Sequence, residues 1–228
     1  MTAPKQTPGY RHWHEELAQV KQRLLDMSGH AERLVDLAVK SLVDRDRAIA
    51  EEVIAGDKIL NDLEVEIEQR AVRLLATQQP MARDLRFLVG TIKVSSDLER
   101  VGDHAVNMAE SAVRLVDHHG RLTPSPALED MARRAKAMLS DALDAFLRAD
   151  GALGREVCKA DDAVDALHDQ IFRVLLTHMM ESTRNIGPAL ELLLVSRNLE
   201  RVADLATNIS EDAVYLAEGK QIKHHFED

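Results

Sequence analysis

The stretch Asp97-Leu-Glu-Arg-Val-Gly-Asp-His-Ala-Val-Asn-Met-Ala-Glu110 returns later in the chain as Asn198-Leu-Glu-Arg-Val-Ala-Asp-Leu-Ala-Thr-Asn-Ile-Ser-Glu211. A repeat of this length marks a duplicated unit, and it decides the architecture before any other feature is weighed. Apolar residues recur at three- and four-residue intervals in both copies, the spacing of an amphipathic helix. The likeness continues outward from this helix. Setting Met27 against Met131 also sets Asp46 against Asp150, Val53 against Val157, Asp57 against Asp161, Leu63 against Leu167 and Ile67 against Ile171.

Breaks in the periodicity fall at Asp44 to Asp46, Gln78 to Pro80, His118 to Pro126, Asp150 to Gly151 and Ser182 to Pro188. They divide the chain into six helices, approximately 12–43, 47–77, 81–117, 127–149, 152–181 and 188–217. The predicted fold is all-α, two tandem three-helix bundles related by pseudo-twofold symmetry. The first repeat covers 1–117, the linker 118–126 and the second repeat 127–228.

Composition agrees with long helices. Aromatic residues are 3% and charged residues 30% of the 228, while a hydrophobic content of 45% suffices for a packed core. A net charge of -10 argues against a nucleic-acid surface, which needs clustered Lys and Arg. Cations or basic partner surfaces fit it better. The lone cysteine, Cys158, has no intramolecular partner, which suits a reducing cytosol, and its expected state is a small buried hydrophobe. Met1 to Tyr10 carries two prolines and no apolar segment, so no secretory leader is expected. No apolar run reaches the roughly 18 residues a membrane span needs, and Leu192 to Val195 is preceded by Glu191 and followed by Ser196, so no membrane insertion is expected either. The expected location is cytoplasmic.

The carboxylates are placed unusually. At about 100° per residue, Val94, Leu98, Val101, Ala105, Met108, Ala112 and Leu115 share one face of the third helix. Glu99, Asp103, Glu110 and Asp117 cluster nearly opposite, and Glu200, Asp204, Glu211 and Glu218 repeat this in the sixth. A solvated face is the ordinary explanation. Acids four residues apart repel, however, where an exposed helix would gain roughly 0.2–0.5 kcal/mol from an opposite-charge pair. The hairpin turns set which carboxylates share a level. A turn near Gln79 and Pro80 brings Asp57 level with Asp103 and Asn61 level with Glu99; a turn near Ser182 and Thr183 brings Asp161 level with Asp204 and Asp165 with Glu200. Each half then assembles an oxygen-rich surface groove, a site for hard cations or iron, because a cation between carboxylates cancels their repulsion.

Catalytic alternatives lack their residues. A ferritin-like di-iron centre requires Glu-x-x-His on two helices, and none of the ten histidines has a glutamate three residues earlier; Asp165 before His168 comes nearest. His104 is matched by Leu205 in the other copy, which favours a helix-surface histidine over a ligand. The pairs His118-His119 and His224-His225 fall in linker and tail. There is no phosphate-binding glycine loop, nucleophile elbow or zinc-spaced cysteine set, so an enzyme is not expected.

With these residues assembled, the chain resembles the PhoU family of phosphate-transport regulatory proteins. The resemblance rests on Met27-Ser-Gly29, Val53-Ile-Ala-Gly-Asp57, Gln79-Pro-Met-Ala-Arg-Asp-Leu-Arg86, Leu98-Glu-Arg-Val-Gly-Asp-His-Ala-Val-Asn107 and Leu199-Glu-Arg-Val-Ala-Asp204. It implies a cytoplasmic adaptor between the ATPase subunit of the phosphate ABC transporter and the phosphate-sensing histidine kinase, repressing the starvation response when phosphate is plentiful. It also implies multinuclear iron or zinc at paired E/D-x-x-x-D motifs. These map to Asp57, Asn61, Glu99 and Asp103 in one half and Asp161, Asp165, Glu200 and Asp204 in the other, with Asn61 one charge short of the pattern. A metal-storage or metal-sensing helical protein is the alternative.

Three further expectations concern packing. Arg83 and Arg86 are expected to salt-bridge to the neighbouring bundle, and Pro80 can open the third helix. Arg100 and Arg201 are placed to neutralise the acidic pairs. Phe87 to Ile92 and Ala189 to Val195 are apolar around much of the helix, which points either to a homodimer or to contact between the two bundles.

Overall fold

A computed structural model describes residues 8–117 and 122–222. The expectations for Met1 to Thr7, for the His118-His119 end of the linker and for His224-His225 lie outside the described residues. Among the described residues six long helices carry the fold: α1 (Pro8–Asp44), α2 (Arg47–Gln78), α3 (Ala82–Asp117), α4 (Pro126–Arg148), α5 (Gly151–Glu181) and α6 (Ile186–Glu218). A single 3-10 turn, Thr183–Asn185, separates α5 from α6.

The duplication is visible in the helix starts. Asp46 accepts hydrogen bonds from the Ala48 and Ile49 amides, and its counterpart Asp150 accepts from those of Ala152 and Leu153. Each cap satisfies amides that have no partner within the helix, worth about 1 kcal/mol. Pro80 does not open α3. The chain instead leaves α2 through Gln79 in the left-handed region, and α3 begins at Ala82 with Asp84 in its first turn.

In the first half α1, α2 and α3 pack on one another, and in the second α4, α5 and α6 do the same. The halves meet through α3 against α6 and α1 against α4. Their apolar stripes merge into one continuous core, with Leu24, Met27, Leu60, Leu98 and Val101 on one side and Met131, Leu139, Phe146, Leu199 and Val202 on the other.

Four contacts show how α3 and α6 run. Arg86 Nη2 donates to the Leu216 carbonyl, Lys93 pairs with Asp212 at 3.0 Å, His104 meets Asn198 at 2.9 Å and Arg114 pairs with Glu191 at 3.0 Å. Numbers rise along one helix as they fall along the other, so the pair is antiparallel. The pseudo-twofold axis therefore passes near the equivalent, fully buried Val101 and Val202. Of the two turn arginines, Arg86 does cross to the other half, but it meets a backbone carbonyl at the end of α6 rather than a carboxylate. A helix C-terminus leaves its last carbonyls without partners, and a guanidinium satisfies them well.

The apolar stretch at Phe87 is used between the halves. Phe87 stacks on Phe146 of α4 with ring centroids 5.5 Å apart, and a β-carbon at Gly90 would stand 2.7 Å from the Phe146 ring. Only a glycine admits that ring so close to the α3 backbone. Val89, Leu190 and Leu194 on the same two stretches remain exposed.

Candidate functional site

The second half concentrates charge most. Asp161 and Asp165 on α5 occupy successive turns, and the antiparallel return of α6 supplies Glu200 and Asp204. Oδ1 of Asp161 is buried with no hydrogen-bond partner. Burial, and then the neighbouring carboxylates of Asp165, Asp204, Asp162 and Glu200, weaken it as an acid and push its pKa up to about 7. Asp165 is raised by burial and by Glu200 and Asp204, with His168 opposing. Asp161 thus lies within electrostatic reach of Asp165, Glu200 and Asp204. Asp204 additionally accepts from Arg201 Nη1 at 2.6 Å.

In the first half Asp57 on α2 faces Asp103 and Glu99 on α3. Burial raises Asp57 above the usual carboxylate range and Asp103 adds to this, while a 3.0 Å hydrogen bond from Asn61 Nδ2 opposes it. Glu99 is raised by burial, then by Asp103, Glu64 and Asp57, against the pull of Arg100. Asp57 Oδ1 is buried and unpartnered, as is its counterpart in the other half. Gly102 makes room for it: a β-carbon there would collide with Leu60 and stand 2.9 Å from Asp57 Oδ1. In the second half Ala203 occupies the equivalent place. Asn61 is exposed, and its bond goes to Asp57 on the same helix.

A carboxylate oxygen shut off from water without a donor has to be satisfied by a proton or a cation. The two orphaned oxygens and the acids around them match the donor set that hard or borderline divalent ions use. Among the described residues no three His, Cys, Asp or Glu side chains stand close enough together to hold an ion. Ligand oxygens would have to draw in around a bound cation.

Sequence reasoning overlooked three contributors. Glu64 and His168 are equivalent positions, each two turns after the first aspartate of its site, and Asp162 adjoins Asp161. The helical spacing of seven residues was the available signal. Cys158 is buried as expected, its thiol pushed up to about 11 by burial and by Glu211 and Asp161, which keeps it protonated and unreactive.

Between the two acidic sites lies a polar groove along the α3–α6 seam. Arg100 and Arg201, equivalent residues on either side of the pseudo-axis, both line it, with His104, Asp204, Thr207 and Asn208. His104 is thus more than a surface residue. Asn198 Nδ2 donates to the Leu194 carbonyl, which turns Asn198 Oδ1 toward the ring, so His104 Nδ1 carries the proton and donates at 2.9 Å across the seam. The two arginines are held differently. Arg100 lies 3.7 Å from Asp97, one turn back, whereas Asn198 stands where Asp97 would be and Arg201 reaches forward to Asp204 instead.

Comparison with known proteins gives this geometry a family. The PhoU domain matches twice, at residues 24–112 and 128–213. The phosphate-specific transport system accessory protein PhoU homolog of Aquifex aeolicus (strain VF5) is 40% identical over 210 residues, 92% of this chain and 95% of that protein. Its counterpart in Rhizobium meliloti (strain 1021) is 39% identical over 207 residues, 91% and 87% of the two chains. The crystal structure of PhoU from Pseudomonas aeruginosa superposes with a TM-score of 0.87 at 36% identity, covering 91% of this chain and 100% of that one. The chain belongs to the PhoU family.

Proposed function

We propose that this PhoU-family chain is a non-catalytic accessory regulator of phosphate uptake. It works in the cytoplasm as an adaptor between the ATPase subunit of the phosphate ABC transporter and the phosphate-sensing histidine kinase, repressing the starvation response when phosphate is plentiful. The observation that carries this reading is the likeness across 91% of this chain and 87% of an accessory-protein relative, both repeats included. Among the described residues no helix is long and apolar enough to cross a membrane, so contact with the transporter falls to surface residues. Capture assays with the purified ATPase subunit and with the kinase, at high and low phosphate, test the role. Binding to each at high phosphate is expected, and binding to neither would overturn it.

A second reading, favoured by the orphaned Asp57 and Asp161 oxygens, is that the acidic sites hold iron or zinc as part of this regulation. Glu99 and Asp103 would complete the first site with Asn61 beside them, and Asp165, Glu200 and Asp204 the second. The cation supplies fixed positive charge on an otherwise acidic face and so a rigid contact for a partner. A homodimer is also proposed, through the exposed equivalent pairs Leu85 with Ile186 and Val89 with Leu190, which are apolar groups left at the surface of both halves.

A further inference from the structure

We propose that the groove on the pseudo-twofold axis is a binding site for a small, doubly charged tetrahedral oxyanion, gated by the ion pair between Arg201 and Asp204. Arg100 and Arg201 come from opposite halves and line one groove because α3 and α6 are docked antiparallel about Val101 and Val202. A guanidinium presents planar, paired donors that match phosphate-type oxygens, and two of them facing one cavity match a dianion better than a carboxylate. The Asn208 amide adds a neutral donor on the same wall, and the His104–Asn198 hydrogen bond pins the two helices at this level.

The groove disfavours anions as long as Asp204 keeps its charge and its bond to Arg201. Arg201 Nη1 donates to Asp204 at 2.6 Å, which neutralises part of the guanidinium's charge, and the Asp204 carboxylate adds a negative charge to the same wall. Asp204 is also one of the four acids of the second cation site. A cation that claims its oxygens withdraws the partner of Arg201 and cancels the repelling charge in one step. Anion binding in the groove and cation binding beside it are then positively coupled, because each removes a cost that the other bears. This coupling, though not the groove itself, rests on the cation reading above.

The asymmetry at one position makes Arg201 the gate. Asp97 gives Arg100 a loose partner one turn behind, at 3.7 Å, while Arg100 lines the groove. Asn198 offers Arg201 no such charge, and so Arg201 turns to the acid that the cation site requires.

The test is calorimetric titration of the full chain, stripped of metal, with inorganic phosphate and with sulfate at constant ionic strength. Asp204→Asn frees Arg201 without any metal and is expected to bind both anions about tenfold or more tightly than the wild type. Adding Arg100→Gln and Arg201→Gln to Asp204→Asn is expected to abolish that gain, and acetate is expected to bind weakly to all variants. Circular dichroism establishes that each variant is folded, with Asp204→Ser as a second way to remove the charge. Failure of both Asp204 variants to gain affinity, or a gain that survives loss of both arginines, overturns the proposal. Wild type in micromolar zinc, titrated with sulfate to avoid precipitation, is expected to behave as Asp204→Asn does. If it does not while Asp204→Asn binds, the groove stands and the cation reading of the second site falls.

Discussion

Asn61 and Asp165 stand at the same turn of equivalent helices, and exchanging an amide for a carboxylate there separates the two acidic sites. In the first, Asn61 donates to Asp57 at 3.0 Å and counters the effects of burial and of Asp103 on that group. In the second, Asp165 can only repel, and Asp161 is pushed up to about 7. The backbone frame is the same in both, so a duplicated fold can partly relieve one acidic site and leave the other more strongly in need of a cation or a proton. The equivalent arginines diverge for a similar reason, since the acid at 97 is an amide at 198.

The largest expected effect bears on the seam that joins the halves. Phe146 is fully buried against Phe87 and Gly90 of the other half, and its counterpart by the repeat is Leu42. Phe146→Ala should cost about 3–5 kcal/mol and Leu42→Ala about 2–4 kcal/mol. Denaturant unfolding measures both, and equal costs would mean that the seam is as symmetric as the sequence.

A smaller effect separates the two leading aspartates. Folded Asp161 holds its proton up to about 7, against an ordinary value of 3.8. The folded state therefore binds more protons than the unfolded one in that window, and stability of the metal-free protein falls as pH rises through it. Asp161→Asn should remove this slope and stabilise the metal-free protein by about 1–2 kcal/mol above neutral pH, discounted for solvent screening. Asp57→Asn should change the slope less, because Asn61 already opposes the shift. Thermal melts from acid to neutral pH check this, and identical slopes for the two variants would erase the contrast.

The smallest effect concerns cation affinity. With one fewer carboxylate, the first site should bind zinc on the order of tenfold more weakly than the second, since ligand charge count tunes affinity. Asn61→Asp should close that gap in a competition titration. Two sites of equal affinity before the substitution would refute the assignment of Asn61 as the difference.

Much of this was legible in the residues. The repeat, the six helices and the levels of Asp57 with Asp103 and of Asp161 with Asp204 follow from helical periodicity and from short turns, which leave a hairpin little freedom of register. Two readings of single residues needed correction. Pro80 precedes the third helix rather than opening it, and Arg86 crosses to a carbonyl of α6 rather than to a carboxylate. Each depended on how a side chain or turn meets something distant in sequence. Arg100 and Arg201 were expected to neutralise the acidic pairs, and Arg201 does bond Asp204 while Arg100 lies nearest Asp97.

Periodicity, capping aspartates and the duplicated motif were enough by themselves to determine the helices, their pairing into hairpins and the carboxylates each hairpin carries, because all of these are set by local geometry. Only the tertiary structure decided that α3 and α6 dock antiparallel about Val101 and Val202, and so that two arginines far apart in the chain share one groove. That choice rests on packing between the halves, such as the Phe146 ring over Gly90. Such complementarity is a property of surfaces meeting in space and leaves no spacing in the chain to read.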